Sequence, residues 1–369
     1  MGKLGLVIAD IDENYVRGLI NYIEAANSRD FQVSSFTQLN SFQNFLSKNK
    51  LSDIILVCPE FYEETALKTE AKLVVILFPG VLDKEYPGCE TVNKYQTGEK
   101  IISNIFYLYS KVNPDEVHIS NCEKRAKVVG IYSPAGGTGK TTIAASLSSH
   151  CVEQGLSSFY LNFENIQSTE IFFDCSSERS LSYVFYYLKE KDKNLTFKID
   201  GVKCLDTSSG VQYFTPPQSP LELDEVAPDE LEQLLHQLKR TGKYDFVFID
   251  MSSAFDTKNI RLMQLCDQVI AVYTQDLSAK HKFRTLVNNL DKLDSTFGHG
   301  LSAKFISVIN KYKENPYDSM DDNLISRIPL RCKIPEYSKS IIQENGKIAV
   351  NDSSFLKSVD ELINVLLDR

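Results

Sequence analysis

The residues best suited to chemistry stand together at Ser133-Pro134-Ala135-Gly136-Gly137-Thr138-Gly139-Lys140-Thr141-Thr142. Glycines let backbone N–H groups turn inward around an anion. Lys140 brings a compact cation to β- and γ-phosphates, and the Thr141 hydroxyl is placed to ligate Mg²⁺. The apolar run Lys127-Val128-Val129-Gly130-Ile131-Tyr132 comes just before. Ile143, Leu147 and Cys151 come just after, on one helical stripe that stops at Gly155. Strand, glycine-rich loop and helix form the context of a phosphate-binding loop, because the helix points its positive N-terminal end at the same anion. A chance glycine-rich turn containing lysine is the weaker alternative.

A second group fits this chemistry. Tyr244-Asp245-Phe246-Val247-Phe248-Ile249-Asp250 reads as a buried strand ending in a carboxylate. An acidic group at a strand's carboxyl end, beside a phosphate loop, holds Mg²⁺ through water, and Asp250 is assigned that place.

The loop departs from G-x-x-x-x-G-K-[ST] at Pro134. Its double glycine before the lysine resembles the deviant Walker A loop of the ParA/MinD family. The resemblance implies ATP and Mg²⁺ as cofactors. Ala135, Gly136, Gly137, Thr138, Gly139, Lys140, Thr141 and Thr142 then hold the nucleotide, and Thr141 and Asp250 the metal. The family's signature lysine, which reaches a partner subunit's phosphates, is Ala135 here. After the next strand, Ser157 to Leu161, the family carries Asp-x-Asp; this chain has Asn162-Phe163-Glu164. Glu164 is either a catalytic carboxylate on a longer arm, together with Lys140 and Asp250, or a strand-end polar residue. In the family an asparagine ending a later strand reads adenine, and Asn310 stands there, after Phe305-Ile306-Ser307-Val308-Ile309. Lys333-Ile334-Pro335-Glu336 resembles the segment beside the base, which adds Pro335 to the binding set.

Composition bounds the remaining possibilities. The 369 residues are enough for two domains with real cores, and an apolar content of 43 % is that of a soluble globular protein. A net charge of −9 argues against a general nucleic-acid surface, although a local basic patch survives such a balance. The eight cysteines have no C-x-x-C spacing and read as small core residues in a reducing compartment. The first apolar run is too short for a signal peptide, and no stretch reaches the length of a membrane span. A cytoplasmic protein is expected.

The elements ahead of the loop alternate. Leu4–Ala9, Phe31–Phe36, 53–58 and 72–78 read as strands, with helices after the first two and a last helix through Ile101, Ile105 and Leu108. This alternation predicts a doubly wound parallel sheet. Over residues 3–110 the layout resembles a response-regulator receiver. Asp10 and Asp12 match its acidic pair and Lys94 its lysine. Cys58 replaces the phospho-accepting aspartate, and Phe78 stands near the usual Ser/Thr. A pseudoreceiver used for contacts is expected, with an unrelated flavodoxin-like domain as the alternative. The predicted class is α/β in two domains: a receiver-like, flavodoxin-like doubly wound sheet over 1–115, a linker over 116–126, and a P-loop NTPase with a mostly parallel sheet over 127–369.

Within the second domain, Leu181, Val184, Phe185 and Leu188 predict a helix, with Tyr183, Tyr186 and Tyr187 assigned to core packing. Val211–Thr215 predicts a strand, and Asp229 is assigned as the cap of a helix through Leu238. The C-terminal pattern from Phe355 to Leu367 is amphipathic, but Asp360, Glu361 and Asp368 oppose only Lys357 and Arg369. A helix docked on the sheet fits better than a membrane-surface helix.

A pseudoreceiver joined to such an ATPase resembles the CpaE/TadZ proteins of Flp/Tad-type pilus assembly. That resemblance implies a homodimer formed through the ATPase domain, pilus or secretion-machinery partners, and recruitment to a cell pole or membrane site without insertion. It implies at most a slow ATPase. A working ParA-type partition ATPase is the first alternative, and a two-component output protein the second.

Overall fold

Apolar runs separated by helical patterns form parallel strands, because a helix can return the chain to the same edge. The computed structural model describes residues 3–28, 30–48, 52–65, 70–80, 84–113, 125–174, 179–190, 195–297, 300–314, 327–336, 341–342, 347–350 and 352–367. The chain divides into two compact units.

The first unit runs β1 (Leu4–Ala9), α1 (Glu13–Ala26), β2 (Phe31–Phe36), α2 (Leu39–Ser47), β3 (Ile54–Val57), α3 (Pro59–Thr65), β4 (Leu73–Phe78), β5 (Glu90–Asn93) and α4 (Gly98–Val112). Every pairing is parallel, in the order β2-β1-β3-β4-β5. This is the flavodoxin-like doubly wound order. Period-two alternation sends Leu6 and Ile8 to a core with Val16, Leu19, Ile105 and Phe106. Val7 and Ala9 go to the opposite core, with Phe42 and Phe61. Both faces of the sheet are therefore covered, as parallel sheets require. The sequence pattern did not foretell α3.

The described residues between Tyr186 and Cys204, together with Arg179, group with this first unit rather than with the residues around them. Phe197 enters the α1/α4 core, its ring centroid 5.3 Å from that of Tyr109 and 6.2 Å from that of Phe106. Arg179 donates to the Ser103 carbonyl at 3.1 Å and to Asn104 Oδ1 at 3.0 Å. These residues lie within the 127–369 range that the sequence assigns to the second domain.

The chain continues with β6 (Lys127–Tyr132), α5 (Lys140–Glu153), β7 (Ser158–Phe163), α6 (Leu181–Lys189), α7 (Leu195–Asp200), β8 (Cys204–Leu205), β9 (Gln212–Tyr213), α8 (Glu222–Glu225), α9 (Pro228–Arg240) and β10 (Phe246–Met251). It ends with α10 (Thr257–Leu265), β11 (Gln268–Tyr273), α11 (Leu277–Phe297), β12 (Phe305–Tyr312), β13 (Leu330–Pro335), β14 (Ile341–Ile342), β15 (Ile348–Ala349) and α12 (Ser353–Leu367). The second unit's main sheet has the order β13-β12-β11-β6-β10-β7-β9-β8 and is parallel from β13 through β9. Strand β6 sits between β10 and β11, where the winding reverses, so the loop after it opens at a topological switch point. Ile143, Leu147 and Cys151 are fully buried on α5, and Gly155 takes φ 79° at its end.

Helix α12 packs on α5 and β13, burying Phe355, Val359, Leu362, Ile363 and Leu366. It is docked on the sheet as expected; Asp368 and Arg369 lie outside the described residues. No helix among the described residues is long and apolar enough to cross a membrane. Of the expected linker over 116–126, only Arg125 and Ala126 are described.

Three local expectations change. Asp229 does not cap α9: Pro228 takes the first turn, and the Glu230 carboxylate accepts the Ala227 N–H at 2.9 Å. Tyr187 is core, but Tyr183 and Tyr186 are exposed, because they lie off the buried Val184–Leu188 stripe of α6. Cys58, Cys89, Cys151, Cys266 and Cys332 are free thiols, whereas Cys204 is disulfide-bonded.

In the first unit, Lys94 Nζ lies 3.1 Å from both Asp10 carboxylate oxygens, and Asp10 is 0 % exposed. Removing one partner of a buried pair leaves the other charge uncompensated. Lys94→Met is expected to cost about 3–5 kcal/mol in urea unfolding of the whole protein, with most of it recovered in Asp10→Asn/Lys94→Met. A loss below ~1 kcal/mol would place the pair with idle surface bridges.

Candidate nucleotide-binding site

The loop after β6 is shaped by backbone geometry before side chains matter. Gly137 takes φ 71° and Gly139 φ 90°, the left-handed region that glycine enters without strain. A Cβ on Gly139 would run into Asn310 Nδ2, so that side chain would have to move aside for any other residue. Asn310, from β12, donates its amide to the Thr138 carbonyl at 2.7 Å. Lys311 follows with φ 55° and donates to the Gly137 carbonyl at 2.9 Å. Two consecutive residues of β12 thus tie the loop from outside. Pro335 ends β13 and pairs with Tyr312.

The helix begins at Lys140, whose side chain is buried between two partners. Its Nζ donates to Ser253 Oγ at 3.0 Å and lies 3.3 Å from Glu164 Oε1. Ser253 donates in turn to the Ala135 carbonyl at 3.3 Å, so one hydroxyl fastens both ends of the loop. Thr141 Oγ1 donates to Glu164 Oε2 at 3.4 Å. Thr138 is buried, with its hydroxyl 3.5 Å from the Ala135 carbonyl, and Thr142 follows Thr141 in the first turn of α5.

Asp250 sits at the end of β10, beside β6 and β7, fully buried. Tyr160 donates to its Oδ2 at 3.1 Å, and Asn162 Nδ2 donates to the Tyr160 oxygen at 3.2 Å. The other oxygen, Oδ1, has no hydrogen-bond partner among the described residues. Burial, and secondarily the negative charge of Glu164, push the Asp250 carboxyl up to about 7, against the pull of Thr141, Lys140 and Tyr160. A buried carboxylate short of partners fits a cation. Among the described residues no three His, Cys, Asp or Glu gather into a metal cage.

Asn162 is turned to structural work. Its Nδ2 also bonds Thr169 Oγ1 at 3.1 Å, and its Oδ1 accepts the Glu164 N–H at 2.8 Å. The structure thus brings Lys140, Thr141, Glu164 and Asp250 together and binds Asn310 to the loop backbone. Ser253 and Tyr160 are the functional residues missed by sequence reasoning. Their available signal was position: a polar residue just past the Asp250 strand, and a tyrosine two residues before Asn162.

A cleft of about 440 Å³ opens beside the loop, lined by Gly136, Gly137, Gln275, Lys282, Lys311 and Lys313 among others. In the first unit, Asp10 and Lys94 form a buried ion pair, while Asp12 caps α1 by accepting the Tyr15 N–H at 3.0 Å. Cys58 is buried, and burial pushes its thiol up to about 11.

The raised Asp250 carboxyl sets a pH dependence. The folded state holds this proton more tightly than the unfolded chain, so stability falls as pH rises from about 4 to about 7. The loss is bounded at roughly 4 kcal/mol. In EDTA, Asp250→Asn is expected to melt well above the unsubstituted protein at pH 8 and close to it at pH 4. A melting gap that does not change between these pH values would contradict this electrostatic picture.

Residues 126–303 match a family model described as an AAA domain. The septum site-determining protein MinD of Buchnera aphidicola subsp. Schizaphis graminum is 20 % identical over 256 residues, which cover 66 % of this chain and 85 % of the relative. The MinC:MinD cell division protein complex of Aquifex aeolicus aligns with a TM-score of 0.51 at 14 % identity, over 66 % of this chain and 97 % of that one. A ParA family ATPase of Chlorobium tepidum aligns at 0.48 and 17 % identity, over 66 % and 93 %. The Aquifex likeness carries the fold, a parallel-sheet P-loop NTPase.

Proposed function

We propose that the second unit binds Mg²⁺-ATP at the loop of Ala135–Thr142 and acts as an ATP-occupied switch with slow turnover. The observation that carries this is the convergence of Lys140, Thr141 and Glu164 on a buried Asp250 whose Oδ1 lacks a donor. Loop amides and Lys140 would hold the phosphates, with Thr141 and Asp250 on the metal. Bound Mg²⁺ would offset phosphate charge. Asn310 favours adenine. Its Nδ2 is already committed to the loop, which leaves the partnerless acceptor Oδ1 to suit an exocyclic amine rather than the guanine oxygen.

Slow turnover follows from what is missing. Phosphoryl transfer depends on cations and on placement of the attacking group. Ala135 supplies no cation, Asn162 has no charge and is bound in structural contacts, and Glu164 faces the loop lysine. Ground-state binding keeps its donors.

We read the whole chain as a CpaE/TadZ-like localisation or assembly factor for a Flp/Tad-type pilus or secretion system, with the first unit a pseudoreceiver. The flavodoxin-like strand order, the Asp10–Lys94 pair and the thiol at Cys58 support this. Ile166 and Phe255, on the loops after β7 and β10, and Leu277, at the start of α11, are exposed at the same edge as the phosphate loop and suit a homodimer contact. A DNA-binding partition ATPase is a second reading, favoured by Lys280, Lys282 and Arg284 near the start of α11 and opposed by the net charge of −9.

Calorimetry with Mg²⁺-ATP and Mg²⁺-GTP tests the nucleotide reading. ATP is expected to bind at least ~10-fold more tightly than GTP, with binding lost in Lys140→Ala. Equal affinity for the two nucleotides would overturn the Asn310 assignment, and undiminished binding in Lys140→Ala would overturn the site.

A further inference from the structure

One carboxylate holds both loop side chains that a triphosphate and its metal would need. Glu164 Oε1 is 3.3 Å from Lys140 Nζ, and Oε2 accepts from Thr141 at 3.4 Å. The Glu164 side chain is 25 % exposed, whereas that of Lys140 is 6 % exposed. Glu164 is therefore the more exposed partner of the pair. The backbone beneath it is fixed, since its N–H is pinned to Asn162 Oδ1 at 2.8 Å. Only the side chain need move.

The second partner of Lys140 differs in kind. Ser253 is neutral, and its hydroxyl also fastens the Ala135 carbonyl. A phosphate can approach Lys140 without disturbing it. The same phosphate cannot share Lys140 with Glu164 without placing two anions side by side, close to the buried Asp250.

We propose that Glu164 is an internal phosphate mimic: it holds Lys140 and Thr141 in binding geometry and must be displaced from them when the phosphates arrive. The proposal rests on the nucleotide-site reading above and says how that site is regulated. Glu164 keeps the buried ammonium paired and the loop formed, at the cost of competing with the ligand. A divalent cation eases the competition, because it gives the displaced carboxylate and Asp250 an opposite charge nearby. The site should therefore be more metal-dependent than its loop alone would make it.

The test is calorimetric binding of ATP in EDTA and in excess Mg²⁺, using full-length protein, Glu164→Gln, Glu164→Ala and Ser253→Ala. In EDTA, Glu164→Gln and Glu164→Ala are expected to bind ATP about 10-fold more tightly than the unsubstituted chain, with the gap narrowing in Mg²⁺. Ser253→Ala is expected to change affinity the other way, several-fold weaker in both conditions. Binding in EDTA that is unchanged or weaker in both Glu164 variants overturns the proposal while leaving the nucleotide site intact. No ATP binding by any of the four proteins, with or without Mg²⁺, overturns the nucleotide reading and this proposal with it.

Discussion

A lysine ammonium cannot be left bare inside a protein, and Lys140 is only 5 % exposed. The architecture around it supplies its partners from separate strands. Ser253 comes from the loop after β10 and Glu164 from the end of β7, while the loop itself is tied by Asn310 and Lys311 of β12. These residues lie far apart in the chain and meet only because β12, β11, β6, β10 and β7 run parallel, with their carboxyl ends at one edge. The sheet order is thus a requirement of the charge arrangement as much as of the core.

The same constraint explains the odd chemistry of Asp250. It is buried between Tyr160 and the loop, keeps one oxygen without a donor, and is held far above the ordinary carboxylate range. Asn162 and Tyr160 orient it without adding charge, and Glu164 is the carboxylate that adds to its own negative charge. Near Thr141, two carboxylates, a hydroxyl and an ammonium make a site that asks for a cation and an anion together.

Much of this was legible in sequence, for identifiable reasons. Buried parallel strands are apolar on both faces, so Leu4–Ala9, Lys127–Tyr132 and Phe246–Met251 stand out as runs. The glycine-lysine loop is legible because left-handed backbone and anion binding leave few residue choices. Strand order was not legible, since pairing is set by contacts between distant segments. Nor was the Ser253–Lys140 bond, across 113 residues, or the entry of Phe197 into the first unit's core. Asp229 misled because a proline one residue earlier fixes the helix start, leaving Glu230 to satisfy the Ala227 N–H. Tyr183 and Tyr186 misled because an aromatic side chain is not core when it lies off the buried Val184–Leu188 stripe of α6.

On the function proposed above, this chain holds ATP far better than it hydrolyses it, because Lys140 is well supported while Ala135 supplies no second cation. Single-turnover phosphate release, with protein in excess over Mg²⁺-ATP, compared between the unsubstituted chain and Ala135→Lys, tests this most directly. The account predicts bound but largely intact ATP over many minutes in the unsubstituted chain, and release faster by on the order of 10²-fold or more once the lysine is restored. Brisk release from the unsubstituted chain, unchanged by the added lysine, would contradict it and would mean that another group already supplies the charge.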